Sequence, residues 1–203
     1  MNRRTFTRLG TFAILFASTG LSMLLSGCNV FSDIKAWLPI GEAALSSILL
    51  VLSSNGIILP AQVQTVVGLI KARFDALTAA IAEYQSTTPA PVGALAKIET
   101  AFKDIVDNFS TFLQSLSVSS GLLGIIVGLA QIVLSTIAAF VNRLPASVNV
   151  KAVRSRLNAT MVGGRALVIV PKQRNTGQFR TDYNGVLKTA PPDVDIPAAA
   201  YLK

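Results

Sequence analysis

Residues 61–86, AQVQTVVGLIKARFDALTAAIAEYQS, place Val63, Val67, Ile70, Phe74, Leu77, Ile81 and Tyr84 at alternating intervals of four and three without a miss. That spacing keeps seven apolar side chains on one face of an α-helix and predicts a buried seam. Downstream, Leu95, Ile98, Phe102, Ile105, Phe109, Phe112 and Leu116 repeat it, while Lys97, Glu99, Lys103, Asp104 and Asp107 take the other faces. Ser86-Thr87-Thr88-Pro89-Ala90-Pro91 breaks the chain between the two. Two seamed helices with so short a connection read as antiparallel neighbours in a helical bundle.

Two more helices complete that bundle. Upstream, Ile34, Leu38, Leu45, Ile48 and Leu52 recur at helical spacing, with Ser32 read as the N-cap, until Ser53-Ser54-Asn55-Gly56 ends the run. Pro60 opens the second helix, where its missing N–H costs nothing. The fourth helix, from Ser119 to Arg143, carries no charge before Arg143, and Gly121, Gly124, Gly128, Gln131, Ser135, Ala138 and Asn142 form one narrow small or polar stripe. Such a stripe lets a neighbouring helix approach closely; the length and apolarity also suit a bilayer span.

After Pro145 the character changes. From Arg143 to Lys203 there are ten basic and three acidic residues, against five basic and seven acidic between Asn29 and Asn142. Residues 165–170 read as a short strand. Residues 179–189 around Asn184-Gly185 read as a hairpin, since Asn-Gly suits a tight turn. Pro191, Pro192 and Pro197 predict a loose tail. The expected fold is therefore mainly α: an antiparallel four-helix bundle over 32–144 and a basic, partly irregular extension over 145–203 that includes a small β-hairpin.

The start of the chain carries the other signal. Arg3, Arg4 and Arg8 precede an apolar run from Leu9 to Leu25, and Leu25-Ser26-Gly27-Cys28 follows. These residues resemble the lipobox signal of bacterial lipoprotein precursors. The resemblance implies removal of residues 1–27, lipidation at Cys28 and a short tether over 28–31. It places the protein on the exported side of the cell membrane or outer membrane. Arg3-Arg4-Thr5-Phe6 partly matches the twin-arginine export pattern as well. Cys28 is the only cysteine, so no internal disulfide forms and stability must come from packing.

Chemistry-bearing motifs are sparse. The chain has no histidine, which removes the usual general base and the commonest transition-metal ligand. Ser32-Asp33-Ile34-Lys35 matches the Ser-x-x-Lys string of serine acyl-enzymes but lacks its companion motifs. No catalytic site, metal or cofactor is expected. Lys151, Arg154, Arg156, Arg165, Lys172, Arg174 and Arg180 are the candidate contacts for anionic lipid or a cell-wall polymer; an unknown protein partner stays open, and an exported protein seldom meets nucleic acid. The leading expectation is a non-enzymatic lipoprotein with a structural or binding role in the cell envelope. The alternative is an integral or membrane-active protein, pore-forming or lysis-like, with residues 119–142 spanning the bilayer.

Overall fold

The structure is a computed structural model. It describes residues 10–86, 92–144, 153, 155, 161–162 and 165–203, with side chains from residue 30 onward apart from those of 92, 161–162 and 165–166. Its elements are α1 (Gly10–Ser54), α2 (Ala61–Ser86), α3 (Val92–Ser115), α4 (Ser120–Arg143), β1 (Met161–Val162), β2 (Arg165–Ala166), α5 (Thr176–Lys188) and a 3-10 turn at Ala198–Ala200.

The four long helices form the expected bundle. Ion pairs record the antiparallel course of α2 and α3: Lys97 Nζ lies 2.7 Å from Glu83 Oε2, and Arg73 Nε lies 3.1 Å from Asp104 Oδ2. On the other side, Arg143 at the end of α4 meets Asp33 near the start of the buried part of α1, at 2.8 Å. The predicted seams are the core. Phe74, Leu77, Ile81, Ile98, Phe102, Ile105, Phe109 and Phe112 are fully buried. Trp37 is the hub, with its ring centroid 5.5–5.9 Å from those of Phe74, Phe140 and Phe179. Gly41 makes room for it; a Cβ there would stand 2.9 Å from the indole.

Helix ends follow local chemistry. At Gly56, with φ of 72°, the Gly56 amide donates to the Ser53 carbonyl and the Ile57 amide to Leu52, which closes α1 with a left-handed cap. Ser119 caps α4 by accepting from the Leu122 amide. The expected N-cap at Ser32 is not a helix start, because α1 runs through it unbroken. Val30 and Phe31 are already fully buried, so the apolar stripe extends upstream of Ser32. Pro39 lies on the exposed face of α1, where a carbonyl left without its donor can meet water.

The C-terminal region departs most from expectation. Residues 179–189 do not form a hairpin; they lie almost wholly in α5. Asn175 caps that helix in a capping box with Gln178, and Phe179, Tyr183 and Leu187, four apart, bury one face. That burial outweighs the turn preference of Asn184-Gly185. Short pairing occurs earlier, where β1 and β2 form an antiparallel pair of two residues each; residues 167–170 beyond β2 form no strand. The proline-rich tail is not loose either. Val194 and Ala200 are buried, and the Ser47 hydroxyl donates to the Ala200 carbonyl.

Candidate functional site

Leu25, Ser26, Gly27 and Cys28, the residues expected to form a lipobox, belong to α1, and their side chains fall outside those described. What the structure does fix is the chain that follows. Only Asn29 separates Cys28 from Val30, which is fully buried and is the first residue whose side chain is described.

Three members of the small stripe of α4, Gly121, Gly128 and Ser135, seat the C-terminal strap, residues 172–203. A Cβ on Gly128 would stand 2.9 Å from Val186 Cγ1, and one on Gly121 3.4 Å from Pro191 Cγ. The Lys172 amide donates to the Ser135 carbonyl at 3.2 Å. The strap thus runs antiparallel to α4, from Ser135 back to Gly121. It also reaches α1, where the Tyr183 hydroxyl donates to the Ala44 carbonyl at 2.7 Å. Burial pushes the Tyr183 phenol well above its ordinary pKa, so it remains a donor.

Of the candidate cations, Lys151, Arg154 and Arg156 lie outside the described residues, and so does the side chain of Arg165. Lys172 and Arg174 converge on one carboxylate. Lys172 Nζ lies 2.8 Å and Arg174 Nε 2.7 Å from the same oxygen, Asp182 Oδ2. Arg174 is only 7% exposed, and its Nη1 donates to Ser135 Oγ at 2.7 Å and Thr136 Oγ1 at 3.2 Å. Hydrogen bonds from Lys172, then Arg174, hold the Asp182 carboxyl below the usual carboxylate range. Arg174 therefore ties the strap to α4, while Lys172 keeps its ammonium largely in water. Arg180, on α5, is partly buried.

Sequence reasoning missed the groove beside this cluster. It is an open trough of about 460 Å³ between α4, residues 168–174 and α5, lined among others by Gly128, Gln131, Ser135, Val168, Val170 and Lys172. No motif marks it, because its walls come from segments that the bundle brings together. The stripe at Gly128, Gln131 and Ser135 was its one legible side.

Among the described residues no cluster of acidic, histidine or cysteine side chains could hold a metal ion. In the Ser-x-x-Lys string, Ser32 and Lys35 are exposed and Asp33 is engaged by Arg143. Among the described residues, two helical stretches, Val30–Ser54 and Ser120–Arg143, are long and apolar enough to cross a bilayer; 56% and 72% of their most apolar windows are buried within the protein. No protein family matches the chain, nor does any curated protein or solved structure.

Proposed function

We propose that the chain is a membrane-anchored bacterial lipoprotein, non-enzymatic, whose helical bundle is tethered through acylated Cys28 and serves a structural or binding role in the cell envelope. The observation that carries the reading is the lipobox-like Leu25-Ser26-Gly27-Cys28 at the end of an apolar run that follows a basic start. Two or three acyl chains suffice for a stable anchor, since each buried methylene contributes about 0.8 kcal/mol. Packing supports a tethered bundle over an inserted one. All nine residues from Ile132 to Phe140 in α4 are buried against protein, and the strap lying on α4 is charged. Anionic lipid or cell-wall polymer is the partner chemistry that the basic residues of 145–203 favour.

A second reading, an integral protein with residues 119–142 spanning, rests on the charge-free composition of α4. Cys28→Ser with metabolic fatty-acid labelling tests the first. Loss of label with accumulation of precursor is expected; label retained on the variant would overturn it.

A further inference from the structure

The groove beside the Asp182 cluster has an apolar body and a cationic end. Val168 and Val170 line it yet remain 73% and 66% exposed, two of the few large aliphatic side chains left in water among the described residues. α4 adds Gly128, Gln131 and Ile132 to the lining, and α5 adds Val186, which packs against Gly128. At one end stand Lys172 and Arg174, two cations that share one carboxylate oxygen of Asp182. One positive charge is thus left over at the mouth. The volume of about 460 Å³ falls within the range of small-ligand sites. Arg174 is nearly closed off and braced by Ser135 and Thr136, so the cationic end is held in place before any ligand arrives.

We propose that this groove binds an amphiphile with a single aliphatic chain and a terminal anion, its chain against Val168 and Val170 and its head at Lys172. A free fatty acid and a phosphate-headed single-chain lipid share that chemistry. The inference is independent of acylation at Cys28, and its test uses the full chain carrying Cys28→Ser so that no covalent lipid can fill the groove.

Equilibrium dialysis would be run with dodecanoate, dodecyl phosphate, dodecanol and inorganic phosphate, all below micelle formation. Saturable binding of one anionic chain per protein is expected. Lys172→Glu should weaken the anionic ligands by about tenfold and leave dodecanol unchanged. Val170→Asp should weaken all three chains by a similar factor; Val168→Asp, at a second exposed position, repeats the test should the first variant misfold. Stronger binding of dodecyl phosphate would mark a phosphate headgroup as the source, and equal or stronger binding of dodecanoate a fatty acid. Three results overturn the proposal: no saturable binding, displacement of dodecanoate by inorganic phosphate alone, or indifference to the changes at 168, 170 and 172.

Discussion

Asn55 and Asp195, 140 positions apart, hold each other by a reciprocal pair of hydrogen bonds: Asn55 Nδ2 donates to the Asp195 carbonyl at 2.8 Å, and the Asp195 amide donates to Asn55 Oδ1 at 2.9 Å. Asn184 repeats the device with Leu202, at 2.9 Å in both directions. One edge of a side-chain amide sets an N–H donor beside a carbonyl acceptor, so it pairs with the N–H and C=O of a single residue as a neighbouring strand would. These two clamps fasten a tail rich in proline, which no regular ladder could hold.

Asn55→Ala should therefore loosen the end of the strap without unfolding the bundle. Both bonds are exposed, so the expected loss is about 1–2 kcal/mol. Denaturant titration measures the loss. Hydrogen exchange at the Asp195 amide locates it, and faster exchange there with unchanged exchange in α2 and α3 is the expected pattern.

Two glycines on α4 should respond in opposite directions. Gly128→Leu drives a side chain into Val186, already 2.9 Å from a bare Cβ, and should cost about 1–3 kcal/mol by prying α5 away. Around Gly124 nothing lies within 4 Å of an added Cβ. Gly124→Ala should then stabilise by up to about 1 kcal/mol through helix propensity alone. Thermal unfolding of the two variants beside the parent checks both signs.

The seams of α2 and α3 are legible because one face repeats for six turns and polar residues hold the rest. The small stripe on α4 announces a close neighbour but not which one. Asn184-Gly185 misleads because a two-residue turn preference is local, whereas the burial of Phe179, Tyr183 and Leu187 depends on Trp37 and Ala44, far away in the chain. The groove shows the same limit. Val168, Gln131 and Lys172 share nothing until α4 and residues 168–174 are laid side by side.

Asp182 should confer an acid dependence on stability. Its carboxyl has a folded pKa below the usual 3.8, owing to hydrogen bonds from Lys172 and Arg174. A depressed folded value means its contribution is present above about 3.8 and is lost as pH falls through the folded value. Asp182→Asn should cost about 1.5–3 kcal/mol at neutral pH, because Arg174 stays buried without its carboxylate. Lys172, at 60% exposure, adds little to that figure. Urea unfolding of both proteins across the acid range should show the gap between them closing below pH 3.8.

Topology offers the most decisive measurement. Were α4 alone to span, Arg143 onward would lie in the cytoplasm, in keeping with the preference of basic segments for that side. The strap would then lose every contact with α1, among them Tyr183 to Ala44 and Ser47 to Ala200, since an acylated Cys28 would hold that helix outside. Were α1 and α4 both to span with the fold intact, Lys172, Arg174, Asp182, Lys188 and Asp193 would be carried into or against hydrocarbon beside α4. At the centre of a bilayer such side chains cost about 2.5–3.5 kcal/mol each. A tethered bundle outside the membrane avoids both losses. Ser155 is exposed, and in acylated protein Ser155→Cys would carry the only free thiol. On intact spheroplasts an impermeant maleimide should label it readily. Protection until lysis would mean that the tail is cytoplasmic and α4 spans.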